Sequence, residues 1–202
     1  MAYNPRDYYF LQAKAKNYAA RSVFKLEEID KRFHILKPSF KVLDLGAAPG
    51  SWSQYACKKI GLSGRLLGID LQKINLTFSN AVFITGDLRE IDVPAIASAH
   101  GIEGPFDVVL SDMAPKTTGI RATDQARSLE LCETALTLAE KQLKPGGHFV
   151  CKMFHSDDFA GFKKKLTDKF DKVEILRPKS TRKGSTEIFF VALRRLTAAD
   201  HL

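Results

Sequence analysis

Short apolar runs recur along the chain and alternate with stretches whose apolar residues have helical spacing. Seven runs have the composition of buried strands: residues 42–45, 65–69, 82–85, 106–111, 148–152, 173–176 and 188–193. Helix-compatible segments separate most of them, and this order predicts an α/β fold with a seven-stranded, mostly parallel, Rossmann-like sheet covered by helices on both faces. Residues 177–186 join the last two runs without a helix. We therefore expect the last strand to be antiparallel, because parallel neighbours need a longer crossover.

Two helices can be predicted in more detail. Ser22 can cap a helix that ends near Lys37 and Pro38. The apolar positions on one face of this helix are Val23, Leu26, Ile29 and Phe33. A second helix is expected between Asp124 and Leu143, and a Lys-Pro-Gly-Gly sequence at 144–147 is expected to stop it.

The length of 202 residues suits one domain spanning 1–202, in which 1–40 form a basic, helical N-terminal extension. No run approaches the ~18 consecutive apolar residues of a membrane span, and the first residues carry charge where a signal peptide would be apolar. The three cysteines are far apart: Cys57, Cys132 and Cys151. We interpret this as a cytoplasmic, reduced protein without a disulfide framework or a metal site.

The net charge of +8 is concentrated at the two ends of the chain. Residues 1–41 carry +5 and residues 163–195 carry +7, whereas residues 42–162 carry −3. If the ends meet in the fold, they form a cationic surface that suits a nucleic acid beside a more acidic core. The alternative is an ordinary solvated face, since a run such as Lys-Lys-Lys at 163–165 often only solubilises a helix.

The turn after the first strand has the sequence Asp-Leu-Gly-Ala-Ala-Pro-Gly at 44–50. Gly46 and Gly50 allow a ligand to approach the backbone closely, and a helix starting near Ser51 would offer free N–H groups. A nicotinamide-binding protein is the rival interpretation, but its G-x-G-x-x-G fingerprint is absent here. Asp70 ends the second strand, where either kind of cofactor would need an acid for its ribose hydroxyls.

Two more residues fit a nucleoside ligand. Asp87 follows the third strand and is placed to accept a hydrogen bond from an adenine amino group, while Trp52 offers an aromatic surface near the turn. Either aspartate alone could instead cap a helix, and Trp52 could be a core residue. Acids at successive strand ends favour a ligand, because open α/β sheets bind ligands outside the carboxyl ends of their strands.

Four ionisable residues predict the reactive centre. Lys152 and Asp112 follow neighbouring apolar strands, Glu187 opens the last strand, and Lys25 interrupts the first amphipathic helix. Burial at a strand end disfavours a charged lysine, so Lys152 could act as a base that Asp112 orients. An isolated pair of this kind would more often be structural. The additional Lys25 and Glu187 favour catalysis.

These residues resemble the Lys-Asp-Lys-Glu tetrad of the FtsJ family of RNA ribose 2′-O-methyltransferases, and the resemblance covers nearly the whole chain. It implies a class I fold that binds S-adenosylmethionine, with catalytic residues Lys25, Asp112, Lys152 and Glu187. It also implies cofactor contacts at Gly50, Trp52, Asp70, Asp87 and Asp112, and the close backbone approach at the turn adds Gly46 to this set. Ser51 departs from the family pattern, which commonly has a glycine there.

Compact bacterial members of this family methylate a uridine ribose in large-subunit ribosomal RNA, so the resemblance implies that RNA as the partner, with no membrane and no obligate protein partner. Transfer RNA methylation within the same family is an alternative. A non-catalytic RNA-binding protein on the same fold is another, although it could dispense with the tetrad. An NAD-dependent oxidoreductase would use Asp70 but would have no use for the tetrad.

Overall fold

The computed structural model describes residues 8–197 and residue 200. Its centre is one seven-stranded sheet in the order β3-β2-β1-β4-β5-β7-β6. The strands are β1 Lys41–Leu45, β2 Arg65–Asp70, β3 Ala81–Thr85, β4 Phe106–Ser111, β5 Leu143–Phe154, β6 Phe170–Leu176 and β7 Glu187–Arg195. The helices are α1 Tyr8–Ala15, α2 Val23–Phe33, α3 Ser51–Ile60, α4 Val93–Ala99, α5 Arg121–Gln142 and α6 Phe159–Thr167.

All seven predicted strands are present, and the expected direction of the last strand is confirmed. β1 to β5 are mutually parallel where they pair, whereas β7 runs antiparallel to both β5 and β6. Because β7 runs antiparallel to β5, its first residue lies at the edge where β4 and β5 end. This topology brings the start of β7 to the carboxyl ends of the parallel strands.

Helices cover both faces of the sheet, as predicted. One core joins α2 and α3 to the face that carries Val108, Val150 and Phe189. The other core includes residues of α4, α5 and α6 packed on the opposite face with Phe149 and Phe190. The sheet is therefore buried on both sides, which explains the nearly continuous apolar strand sequences.

The predictions for the first helix need two corrections. Ser22 precedes α2, but its side chain makes no capping bond and its Oγ lies 2.8 Å from Ser51 Oγ instead. The helix ends at Phe33 rather than near Lys37, because His34 adopts a left-handed conformation with φ of 52° and donates its N–H to Asp30 O. A residue in that conformation ends a helix.

The second helix ends where the sequence predicted, but the strand after it begins earlier than expected. α5 ends at Gln142 and β5 begins at Leu143, so the segment 144–147 lies within the strand rather than in a separate loop. The register with β4 shifts between Phe106 and Val108, which accommodates the extra residues as an irregularity of the ladder.

Buried Asp30 links α2 to its surroundings. Its carboxylate accepts a 2.9 Å hydrogen bond from the N–H of Leu36 and another of 2.9 Å from the hydroxyl of Tyr55 in α3. α2 is thus held against α3 at a fixed height over the sheet.

Among the described residues no helix is long and apolar enough to cross a membrane.

Candidate active site

Lys152 and Asp112 form an ion pair at the carboxyl ends of β5 and β4. Lys152 Nζ lies 3.0 Å from Asp112 Oδ1 and donates a 2.6 Å hydrogen bond to the backbone oxygen of Asp112. The side chains are only 7% and 17% exposed. Ser111 pairs with Cys151 across the two parallel strands, which sets the next residue of each strand side by side.

Lys25 and Glu187 form a second ion pair. Lys25 Nζ lies 2.6 Å from Glu187 Oε1, and both side chains are largely buried. Lys25 belongs to the first turns of α2, while Glu187 is the first residue of β7. The pair therefore joins the N-terminal helical region to the sheet.

The strand register brings the two pairs to the same face of the sheet. Across the antiparallel ladder, Lys152 is opposite Phe189 and Phe154 is opposite Glu187. Residues directly opposite each other share a face, and so do residues two apart along a strand. Lys152 and Glu187 are consequently diagonal neighbours on the face that α2 and α3 cover. All four tetrad residues meet at this edge.

Phe189 lies under the site, and reasoning from the sequence did not identify it. The Lys25 ammonium is 5.6 Å from the centre of its ring, and the Trp52 ring is 5.8 Å away on centroids. An aromatic face attracts a cation, so Phe189 helps to position Lys25. The only signal in the sequence is its place two residues after Glu187 on a strand.

Trp52 is 2% exposed and donates its indole N–H to Ser22 O at 2.9 Å. Its ring is thus packed in the core between α2 and the sheet. A contact between Trp52 and a cofactor stays a prediction, and this burial favours the alternative, a core residue. Through Ser22 the indole instead supports the start of the helix that carries Lys25.

The turn after β1 has the backbone that was expected of it. Gly46 has φ of 71° and Gly50 has φ of 103°, values that favour glycine. A side chain at Gly46 would also collide with Met113, whose Cγ would be 2.4 Å from the added Cβ. α3 begins directly after the turn at Ser51, so its free N–H groups face the edge where the strands end.

Asp44, the first residue of this sequence motif, is a functional candidate that was missed. It is fully buried in β1, and its Oδ2 accepts a 2.6 Å hydrogen bond from Ser53 Oγ. Its Oδ1 is buried without a hydrogen-bond partner in the part of the chain that the structure describes. Burial raises the pKa of Asp44 to about 7, against the bond from Ser53, and the charges of Asp112 and Asp70 add to the rise.

The two other predicted cofactor acids differ in their surroundings. Asp70 accepts hydrogen bonds from the N–H of Ala48 at 2.9 Å and of Gln72 at 2.7 Å, so it holds the glycine turn from the side. Each of its oxygens keeps a second lone pair for a ligand hydroxyl. Asp87 is engaged by Arg89, and hydrogen bonds from that residue lower the pKa of Asp87 to about 2. A ligand at Asp87 would have to share or displace this guanidinium.

The two basic ends of the chain meet beside the tetrad. Arg21 donates a side-chain hydrogen bond to Ser180 O, and the N–H of Lys179 donates to Glu28 Oε2 at 2.8 Å. A cavity of about 270 Å³ lies between the two ends. Its lining contains Arg21, Ser22, Lys25, Arg182, Ser185 and Glu187. The cationic surface expected from the charge distribution is therefore adjacent to the Lys25–Glu187 pair.

Comparison with known proteins gives a consistent result. The model of the family described as FtsJ-like methyltransferase matches residues 18–195. The chain is 60% identical to ribosomal RNA large subunit methyltransferase E of Bdellovibrio bacteriovorus, over 96% of this chain and all of that protein. It is 46% identical to the protein of the same name from Syntrophobacter fumaroxidans, over 96% and 98% of the two chains.

A solved structure from Plasmodium falciparum, described as a ribosomal RNA methyltransferase, is similar in fold. It has a TM-score of 0.75 and 26% sequence identity, and the alignment covers 89% of this chain and 99% of that one. The family model spans all seven strands and all four tetrad residues. On the match over 18–195, and on relatives that align over nearly their whole length, the chain belongs to the FtsJ-like methyltransferase family.

Proposed function

We propose that this protein transfers a methyl group from S-adenosylmethionine to a ribose 2′-hydroxyl of large-subunit ribosomal RNA, at a uridine. The observation that carries the proposal is the meeting of two buried ion pairs, Lys152–Asp112 and Lys25–Glu187, on one face of the sheet. A merely structural pair would not need a second pair beside it at the edge where α/β sheets bind ligands.

The residues around the glycine turn fit S-adenosylmethionine. Gly46 and Gly50 keep the backbone open, and the Asp70 carboxylate beside the turn can accept the ribose hydroxyls. Asp44 Oδ1 is a buried acceptor without a partner among the described residues, next to the same turn. When bound, S-adenosylmethionine supplies an electrophilic methyl group on a sulfonium, and a neutral thioether leaves.

The protein must remove the proton of the 2′-hydroxyl and align its oxygen. In the reaction the 2′-oxygen would bond to the methyl carbon as the carbon–sulfur bond breaks, and the hydroxyl proton would pass to the lone pair of Lys152 Nζ, which must be a neutral amine at that step. The ion pair with Asp112 Oδ1 and the hydrogen bond to the Asp112 backbone oxygen fix the direction of the amine. Lys25 and Glu187, held over Phe189, orient the ribose from the side of α2.

The substrate assignment is supported by the charge of the site and by the relatives. The cationic ends that flank the Lys25–Glu187 pair suit a polyanion. The relatives from Bdellovibrio bacteriovorus and Syntrophobacter fumaroxidans are named for large-subunit ribosomal RNA. The alternative within the family is methylation of transfer RNA. Measuring methylation rates on ribosomal RNA and on transfer RNA separates the two substrates.

The test of the chemistry is the variant Lys152→Arg. Arginine keeps the positive charge and can still pair with Asp112, but a guanidinium does not give up its proton in a protein. We expect the variant to fold, to bind S-adenosylmethionine, and to lose at least about 100-fold in single-turnover methyl transfer, as for removal of a positioned acid–base group.

The matched control is Lys169→Arg. Lys169 forms a 3.0 Å ion pair with Glu140 that is partly exposed and lies away from the tetrad. This variant should retain the wild-type rate, because only the pair in the site exchanges a proton. Near-normal turnover by Lys152→Arg would reject Lys152 as the proton acceptor and leave the tetrad an electrostatic scaffold.

A further inference from the structure

A second cavity, here called the lower cavity, opens at the end of the sheet opposite the tetrad. It has a volume of about 480 Å³ and lies where β4 and β5 begin and β7 ends. The charged and imidazole side chains in its lining are His34, Lys37, Asp107, Lys144, His148 and Arg194. Neither the tetrad nor the glycine turn contributes to it, so the proposed reaction leaves this cavity without a role.

Positive charge dominates the lower cavity. Lys37, Arg194 and Lys144 all face His148. Burial has the largest effect on the pKa of His148, and the three positive charges add to it, so that this pKa is lowered to about 4. The imidazole is therefore neutral at pH 7. Its Nδ1 accepts the backbone N–H of Arg194 at 3.2 Å, which leaves Nε2 as the position for the proton, a hydrogen-bond donor.

The one carboxylate in the lining is already occupied. Asp107 is 7% exposed, accepts the N–H of Lys41 at 2.7 Å, and forms an ion pair with Lys144. Arg194 pairs with Asp171 outside the cavity, where both side chains are about half exposed. Lys37 has no ion pair within the described part of the chain. The lining thus presents donors and cations to an incoming anion.

Aromatic rings accompany these cations. The ring of Phe40 has the Lys144 ammonium 5.3 Å from its centre and the Lys37 ammonium at 6.0 Å. Phe33 also lines the cavity, and the Arg32 guanidinium lies 5.1 Å from its ring. Cationic grooves with aromatic rings are the usual means of binding single-stranded nucleic acid, because phosphates pair with the cations and bases stack on the rings.

We propose that the lower cavity binds a nucleotide of a single-stranded segment of the RNA substrate, at a point remote from the methylated ribose. The inference rests on the proposed function for the identity of the RNA. Its own basis is the combination of three converging cations, a neutral imidazole donor and two aromatic rings in one cavity of nucleotide size.

The distance from the lower cavity to the tetrad can be estimated along α2 and along β5, because each of them reaches both sites. Lys25 and His34 are nine residues apart along α2 and its C-cap, or about 14 Å at 1.5 Å per residue. His148 and Lys152 are four residues apart on β5, or about 13 Å at 3.3 Å per residue. One RNA strand can cover this distance with about four stacked nucleotides at 3.4 Å each. A single RNA can therefore occupy both sites.

The test uses the double variant Lys37→Gln/Arg194→Gln and a fluorescein-labelled oligouridylate of 16 nucleotides. Fluorescence anisotropy should show at least about tenfold weaker binding at 0.1 M salt, and the slope of log affinity against log salt should fall by about 1.4 for two lost phosphate contacts. Single-turnover methylation of ribosomal RNA should need more RNA for half-maximal rate, with an unchanged rate at saturation.

The matched control is Lys164→Gln/Lys165→Gln on α6. It removes the same charge and likewise breaks one exposed ion pair, Lys165 with Glu133, but α6 covers the opposite face of the sheet. We expect its RNA affinity to stay within about twofold of wild type. Cross-linking with 4-thiouridine in the oligouridylate should mark the peptide that contains Phe33 and Phe40 in wild type, and should mark it much less in the Lys37/Arg194 variant.

The outcomes separate this inference from the proposed function. Equal RNA affinity and salt slope for wild type and the Lys37/Arg194 variant, with methyl transfer intact, would overturn the lower cavity alone. Uridine monophosphate that bound wild type as tightly as the oligouridylate would reassign the cavity to a free nucleotide and also overturn it. Absence of methyl transfer by wild type would instead reject the proposed function.

Discussion

Replacing Asp44 by asparagine should change how the stability of the protein depends on pH. Burial raises the pKa of Asp44 from its ordinary 3.8 to about 7 in the folded protein. A carboxyl with a raised pKa binds its proton more tightly in the folded than in the unfolded state. Its contribution to the free energy of unfolding is therefore present at low pH and is lost as the pH rises through about 7.

The size of the effect follows from the pKa difference. Between the two pKa values, each pH unit lowers the contribution of Asp44 to the free energy of unfolding by up to about 1.4 kcal/mol. The loss between pH 5 and pH 8 is therefore roughly 2–3 kcal/mol. Asparagine has nearly the same shape, can accept the hydrogen bond from Ser53, and carries no ionisable group. Relative to wild type, Asp44→Asn should become more stable by that amount over this range.

Urea denaturation at half-unit pH steps measures both proteins, and the difference between their curves isolates Asp44. The wild-type curve alone is misleading, because the pKa of His148 is lowered to about 4. A lowered histidine pKa makes stability rise between pH 4 and 6.5, which opposes the fall from Asp44. Asp157→Asn, at an exposed position, gives the general effect of removing one acid. A difference between Asp44→Asn and wild type that stayed constant from pH 5 to pH 8 would refute the reasoning.

Two further predictions concern binding. Asp70→Ala should weaken S-adenosylmethionine by about 1.5–3 kcal/mol, because it removes an acceptor for the ribose and for the N–H of Ala48; unchanged affinity by calorimetry in the folded variant would contradict this. Charge reversals where the basic ends lie should weaken RNA binding and flatten its salt dependence, with cofactor affinity retained. The positions are Lys14, Arg32, Lys179 and Arg182. Wild-type RNA affinity and salt slope in these variants would exclude this surface from docking.

The strands were predictable because their signal is local. A parallel strand buried on both faces must be apolar throughout, so each run is visible in the sequence alone. The end of α2 was not visible, because it depends on the left-handed conformation of His34; histidine is enriched there among non-glycine residues, but such residues adopt that conformation too rarely for one histidine to mark a helix end. Likewise Ser22 looks like a cap, but Ser51 on α3 engages its hydroxyl in the folded chain.

The tetrad was predictable for a different reason. Charged residues at the ends of apolar strands are costly unless they are paired, so Lys152 and Asp112 stand out in the sequence. Phe189 and Asp44 do not stand out: one is an aromatic residue within a strand, and the other looks like part of the glycine motif. Only the register of β7 against β5 shows that Phe189 is opposite Lys152. Only the packing of α3 shows that Ser53 meets Asp44.

The same sheet explains why charge gathers at both of its ends. Side chains of the inner strands are buried between two layers of helices, so ionisable groups on these strands lie near their beginnings or ends. At the carboxyl ends the charges are balanced in the pairs Lys152–Asp112 and Lys25–Glu187. At the lower cavity Asp107 pairs with Lys144 and Asp171 pairs with Arg194 from outside, which leaves the charge of Lys37 for an anion to balance. Lys144 lies more than 100 residues after Lys37 in the sequence, and Arg194 lies more than 150 residues after it. Only the folded chain can therefore reveal that the three converge.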